Sequence, residues 1–281
     1  MVRKVHYCWF GSSLPPQVAE NIADWQRLNP EFEFCEWNDK NSDITDYPYA
    51  QQALAERRWS FLSDVVRLQK LYEQGGFYLD TDVELIKPFR LLEHESDCLI
   101  MGYIQNCALG TAVIYSPPAH PVIGDVLEEY KHIRSGCWPV NNRVFTHYFI
   151  NNLPDFLLNG QRWKSDKHKI SIYPKEYFEK PAWQREQGFS IHHCSGSWTK
   201  SNSQPTNFTT RKLTASYRIT WLTRQLRSFR RIFSSEYRDV YFNALLLRRR
   251  KTLRPDWLDE ARRVAFRSPK SASPVSLQAG K

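Results

Sequence analysis

Residues 61–84 constrain the fold of this chain most tightly. Apolar residues at helical spacing run into two consecutive glycines, Gly75-Gly76, and then directly into Phe77-Tyr78-Leu79-Asp80-Thr81-Asp82-Val83-Glu84. Paired glycines end a helix because each can take positive φ. Three apolar residues after them read as a buried strand. The segment is therefore a helix that returns into a strand, and the strand ends in two carboxylates.

The upstream sequence follows the same alternation. Lys4 to Phe10 is an apolar run suited to a first strand, and Pro15-Pro16 open a helix. Val18, Ile22, Trp25 and Leu28 recur at spacings of four, three and three, and Asn29-Pro30 end that stripe. Phe32 to Trp37 reads as a second strand, and Ala50 to Gln74 is rich in helix formers. Strands alternating with helices predict an α/β fold with a largely parallel sheet.

Composition excludes several classes. With 41% hydrophobic and 25% charged residues in 281, wholesale disorder is ruled out. No apolar run approaches the roughly 20 residues that span a bilayer, and Met1 to Tyr7 lacks the apolar stretch of a secretory signal. Six cysteines (Cys8, Cys35, Cys98, Cys107, Cys137, Cys194) are scattered without a CxxC pair. They read as reduced thiols of a cytoplasmic protein, not as a disulfide frame or zinc site.

Charge divides the chain. Residues 211–281 hold 18 basic and 5 acidic side chains, net +13, whereas the first 210 hold 21 and 25, net −4. The division follows a polar stretch, Thr199 to Asn207, that reads as a linker. The expected organisation is a body over 1–205 and a basic, mostly helical tail over 206–281, with the last dozen or so residues disordered.

Wound as a helix, Phe61, Leu62, Val65, Val66, Leu68, Leu71 and Tyr72 form one broad apolar arc, with Asp64 inside it and Arg67 at its edge. A carboxylate on the core side needs a partner. Two readings stand side by side: a stabilising i,i+3 ion pair, or two side chains aimed into a polar ligand site. At the strand's end, Asp80 and Asp82 are spaced i,i+2 and can share one side, where carboxylates converge on a hard divalent cation. The plain alternative is a solvated acidic turn. A phosphatase of the haloacid-dehalogenase type also has DxD after an apolar strand, but Glu84 stands where that signature wants Thr or Val.

Ser63-Asp64-Val65-Val66-Arg67 and Leu71 to Val83 resemble the core motif of glycosyltransferase family 32. That family includes bacterial capsule and lipopolysaccharide sugar transferases and fungal α-1,6-mannosyltransferases, and its motif is similar to that of clostridial glucosylating toxins. Val5 to Gly11, Trp37-Asn38, Asn106 to Pro121 and Ile191 to Trp198 resemble further family segments in the same order. Gly136 to Asn142 matches only loosely, and nothing beyond about 205 matches.

The resemblance implies a GT-A fold and a metal-dependent, retaining transfer of sugar from a UDP- or GDP-linked donor to a glycan or lipid-linked acceptor in surface polysaccharide synthesis. A protein acceptor, or a non-catalytic binding protein, is the alternative. It implies Asp80, Asp82 and Arg67 as the catalytic set, and Trp9, Asp64, Arg67, Asp80, Asn106, Ser197 and Trp198 around the donor. Asp82, Asp80, His192 and Ser197 would surround Mn²⁺ or Mg²⁺. Taken alone, Trp9 in its buried-strand pattern reads as core before base stacking and Asn106 as a turn cap, and of His192 and His193 only one can face the site from a strand.

In the tail, Leu222, Leu226, Phe229 and Phe233 form one helical stripe, flanked by Arg218, Arg224, Arg227, Arg230 and Arg231, and Leu245 to Lys251 adds a second apolar-basic unit. This pattern predicts peripheral docking on an anionic membrane, with packing on the acidic body as the alternative. Nucleic acid is not an expected partner.

Overall fold

The computed structural model of the chain describes residues 1–105, 108–133 and 135–194, together with Leu222 and Leu226. The elements begin with β1 (Lys4–Cys8), α1 (Pro16–Leu28), β2 (Glu33–Trp37), α2 (Pro48–Ala55), α3 (Trp59–Gln74), β3 (Gly76–Leu79) and β4 (Val83–Leu85). They continue with β5 (Leu99–Gln105), β6 (Ala108–Leu109), β7 (Val113–Ser116), α4 (Pro121–Glu129) and α5 (Asn141–Asn152), then β8 (Trp163–Ser165), β9 (Ile170–Tyr173), α6 (Lys175–Phe178) and β10 (Ser190–His192). Among the described residues no helix is long and apolar enough to cross a membrane.

The α/β class is as expected, but the sheet is mixed. Its order is β2-β1-β3-β7-β5-β9-β8, with β6 on β5. β1 is parallel to β2 and β3, and β5 is parallel to β9. The β3–β7, β5–β7 and β8–β9 pairs are antiparallel. Only the first half therefore fits the largely parallel expectation. β5, β6 and β7 follow one another with no α-helix between them, so strand–helix alternation could not reveal their direction.

Local chemistry explains the first half. Pro15 and Pro16 start α1, where a missing N–H costs nothing. Val18, Ile22 and Trp25 of the expected stripe are buried, and Asn21 joins them. Asn29 then ends the helix: its N–H and Nδ2 both donate to Trp25 O, and its Oδ1 accepts from Phe89 N at 2.7 Å. At the end of α3, Gly75 and Gly76 both have positive φ (67° and 102°). A Cβ on Gly76 would lie 2.6 Å from Lys4 O, so only glycine lets β3 close against β1 at this point.

Each face of the sheet has its own core. One gathers α2, α3, α4 and α5 over Cys8, Tyr78, Leu99, Met101, Ile114 and Ile172. The other places Val18, Ile22 and Trp25 of α1 on Val5, Tyr7, Phe77, Leu79, Ile100 and Val113. Alternate residues of β1 and β3 serve opposite faces, as the strand period requires. Among the described residues, Cys8, Cys35, Cys98 and Cys194 are free thiols.

Candidate active site

The end of β3 is held from three directions. Asp80 N donates to Ala112 O at 2.8 Å, and Val83 N donates to Asp80 O at 3.0 Å, which closes Asp80-Thr81-Asp82-Val83 into a turn. From α1, Asn21 Nδ2 donates to Thr81 O and Val83 O (3.0 and 2.8 Å), and the Trp25 indole N–H donates to Val83 O at 2.8 Å. The chain then continues as β4, which pairs antiparallel with β10 and sets His192 opposite Val83. Two short strands thus bring the end of the described body back onto the carboxylate turn.

Asp80, Asp82 and His192 each offer a ligand atom, and these atoms lie within 4.8 Å of one another. His192 Nε2 is 3.3 Å from Asp82 Oδ1, and its Nδ1 is 2.7 Å from Glu179 Oε2. Burial opposes a charge on His192, but Cys194, Asp82 and Glu179 outweigh it and hold its pKa well above the ordinary value. His193 turns elsewhere: its Nε2 meets Glu84 Oε2 at 3.0 Å, and Glu84 also pairs with Arg185.

Behind this group stands Arg67, buried on α3. Its guanidinium pairs with Asp64 and Asp80, each at 3.1 Å. It also donates from Nη1 to Thr111 O (2.9 Å), from Nε to Ser63 O (3.2 Å) and from Nη2 to Ser63 Oγ (2.9 Å). A guanidinium has five N–H groups, and these five acceptors, all within the protein, match that number. The Tyr78 ring lies 4.3 Å from the guanidinium carbon, and its hydroxyl donates to Asp80 Oδ1 at 3.0 Å. The structure therefore shows Arg67 as the brace of two carboxylates, the ion-pair arrangement, and extends it to Asp80.

Burial pushes the Asp64 carboxyl up to about 7 against the pull of Arg67. Burial likewise raises Asp80, again with Arg67 opposing. Asn141 and Tyr130 border Asp64, with the Tyr130 hydroxyl donating to Asn141 Oδ1 at 3.0 Å. Trp9 lies just past β1, half-buried against the core, and its indole N–H faces Ser12 Oγ and Ser13 O. Asn106, Ser197 and Trp198, and the domain boundary at 205, lie outside the described residues.

The donor set suits a divalent cation. Asp80, Asp82 and His192 bring the ligand atoms together, while Asp64 engages Arg67 and Glu179 engages His192. Carboxylate oxygens beside an imidazole nitrogen can hold a divalent cation, and Asp80 keeps a side-chain exposure of 27% toward solvent. Glu179, Asn21, Trp25, Tyr78 and Thr111 escape a reading of the sequence. Glu179 and Asn21 lie in no motif, Trp25 belongs to the α1 stripe, Tyr78 and Thr111 fall inside resembling segments without a role assigned there, and each acts through a contact made by folding. Only Asn21, one residue before Ile22 in the apolar stripe, carries a signal, as a polar residue on a core-facing helix.

The segment that carries Asp80 and Asp82 resembles known proteins. Residues 15–99 match the family described as "Glycosyltransferase sugar-binding region containing DXD motif". Over 114 residues the chain is 24% identical to "Subversion of eukaryotic traffic protein A" of Legionella pneumophila, covering 31% of this chain and 18% of that protein. Over 166 residues it is 26% identical to human "Alpha-1,4-N-acetylglucosaminyltransferase", covering 54% and 46%. The chain thus spans less than half the length of these relatives. Among solved structures, "PaToxG Glycosyltransferase" aligns with a TM-score of 0.44 at 16% identity, over 54% of this chain and 69% of the other. A glycosyltransferase involved in the glycosylation of the major capsid of PBCV-1 aligns at 0.38 and 10%, over 70% and 94%.

Proposed function

We propose that this chain is a divalent-cation-dependent glycosyltransferase. It would move a sugar, with retention, from a UDP- or GDP-linked donor to a glycan or lipid-linked acceptor. The observation that carries the reading is the meeting of Asp80 and Asp82, inside the matched sugar-binding region, with His192 from outside it. When bound there, Mn²⁺ or Mg²⁺ offsets the charge of the departing diphosphate as a Lewis acid and template.

The chain's own side chains do the positioning. Arg67 holds Asp80 toward the cation site and Asp64 toward the side where the donor sugar's hydroxyls would lie. The turn at 80–83, pinned by Asn21 and Trp25, keeps both carboxylates from moving apart when no cation is bound. The acceptor hydroxyl then attacks on the face the diphosphate leaves, and its proton passes to a phosphate oxygen.

Thermal shift with UDP- and GDP-sugars, N-acetylglucosamine donors among them, in the presence and absence of Mn²⁺ tests the reading. A ligand at 100 times its Kd stabilises the native state by about 2.7 kcal/mol. The expected result is a rise in Tm for one nucleotide class that needs Mn²⁺. If no nucleotide sugar raises Tm above Mn²⁺ alone and none is consumed, the reading fails.

A lipid-linked acceptor would make membrane attachment useful, and the proposed location is the cytoplasmic face of a membrane. Leu222 and Leu226, one turn apart, are helical and 52% and 57% exposed, which supports an outward apolar stripe. The rest of that segment lies outside the described residues. Co-sedimentation with anionic and neutral vesicles, with and without residues 211–281, tests it. Equal recovery of both forms on anionic vesicles overturns it.

A further inference from the structure

Glu179 is 1% exposed, follows α6, and belongs to no recognised motif. Burying a carboxylate this deeply is costly unless it is fully engaged. Its Oε2 lies 2.7 Å from His192 Nδ1, and its Oε1 accepts from Ala112 N at 3.3 Å. The backbone repeats the link, since His192 N donates to Glu179 O at 3.1 Å. Ala112 in turn supplies the carbonyl that receives Asp80 N. Glu179 is thereby tied to both sides of the cation site without offering it a ligand atom.

Space has been left for this carboxylate. A Cβ on Gly110 would lie 2.1 Å from Glu179 Oε1 and 2.5 Å from its carboxyl carbon. Any side chain at 110 would push the carboxylate off its place. Gly110, Ala112, Glu179 and His192 form one connected strut across three segments of the chain.

We infer that Glu179 is a positioning residue that fixes the ring of His192 through Nδ1, so that Nε2 is the nitrogen aimed beside Asp82 and gives up its proton when a cation binds there. The inference rests on the reading that Asp82 and His192 take part in holding a divalent cation. A carboxylate on the far nitrogen orients a histidine ligand and raises its basicity, and losing such a partner typically weakens metal affinity by about 10–100-fold. Glutamine at 179 fills the same volume but carries no charge, so it cannot draw the Nδ1 proton as strongly.

The test is Mn²⁺ binding to the full chain without donor, read by titration calorimetry or by the signal of free Mn²⁺, with Tm in EDTA as a check on folding. Glu179→Gln is expected to weaken Mn²⁺ binding by at least about tenfold. In His192→Ala it should have no further effect, because its influence passes through that ring. Gly110→Ala, which leaves Glu179 in the chain but displaces its carboxylate, should reproduce the loss and serves if Glu179→Gln does not fold. Mn²⁺ affinity like wild type in Glu179→Gln or Gly110→Ala, with Asp82→Asn binding weakly, overturns the inference alone. An additive loss in the double variant also overturns it. Unchanged affinity in Asp82→Asn overturns the cation site itself, and the inference with it.

Discussion

Arg67 Nη1 lies 3.1 Å from Asp80 Oδ1, and through this contact α3 and the end of β3 become one unit. The same guanidinium holds Asp64 at 3.1 Å with its other terminal nitrogen. Two carboxylates that would repel each other are kept apart and in place by one cation. Removing it leaves both without their partner in a buried setting, which typically costs about 3–5 kcal/mol. Arg67→Ala is expected to lower stability by that order, measured by urea unfolding. Arg67→Lys should recover little, because an ammonium cannot span five acceptors. A lysine variant as stable as wild type would refute the bracing role.

Asp82 is expected to matter for chemistry and hardly at all for the fold. Its carboxylate sits at the turn with a side-chain exposure of 14%, facing His192. Asp82→Asn should abolish transfer and Mn²⁺ dependence while Tm changes little. Undiminished activity of the wild-type chain in excess EDTA would contradict the role.

Asp64 should influence both turnover and pH dependence. Asp64→Ala is expected to reduce kcat/KM by more than about tenfold, which is about 1.4 kcal/mol of transition-state stabilisation. Its folded pKa, about 7, lies above the reference 3.8, so between these values the native state binds the extra proton. The Asp64 contribution to stability is therefore present at low pH and is lost as pH rises through about 7. Urea unfolding at several pH values should show a smaller loss over this window in Asp64→Asn than in wild type.

His6 acts in the opposite direction. It is fully buried, its Nε2 lies 2.8 Å from Gly75 O, and its Nδ1 accepts from the Trp37 indole N–H at 3.1 Å. Burial lowers its pKa below 6.5, and a second ring proton would displace the Trp37 donor. Stability from neutral His6 is present above about 6.5 and is lost as pH falls below that value. His6→Gln should flatten the acid side of the stability profile. An unchanged acid limb would assign that loss to other groups, such as the buried His120 and the half-buried His147, whose pKa values are also lowered.

Asn21 links the core to the site. Its amide satisfies two backbone carbonyls of the 81–83 turn from within α1. Asn21→Ala leaves Thr81 O without this donor and Val83 O with the Trp25 indole N–H, a loss of about 1–3 kcal/mol. The turn should also loosen, so Mn²⁺ affinity should fall along with Tm. A drop in Tm with unchanged affinity would confine Asn21 to stability.

By itself, the sequence determined the elements and the carboxylates. The α1 stripe at Val18, Ile22 and Trp25, the stop at Gly75-Gly76 and the strand running into Asp80-Thr81-Asp82 are local patterns, set by periodicity and by the φ freedom of glycine, and they were legible before any coordinates. Tertiary structure decided everything that depends on which segments meet. It made the second half of the sheet mixed, with β7 antiparallel to β3 because it returns along that strand without a crossover helix. It settled which histidine faces the carboxylates by pairing β10 with β4, so that His192 meets Asp82 and His193 meets Glu84. It also made Asp64 and Arg67 a buried pair that Asp80 joins through the same guanidinium, and brought Glu179 and Asn21 to the surrounding site. Such contacts leave no trace in spacing, because their energy comes from burial and hydrogen bonds formed only once distant segments have packed together.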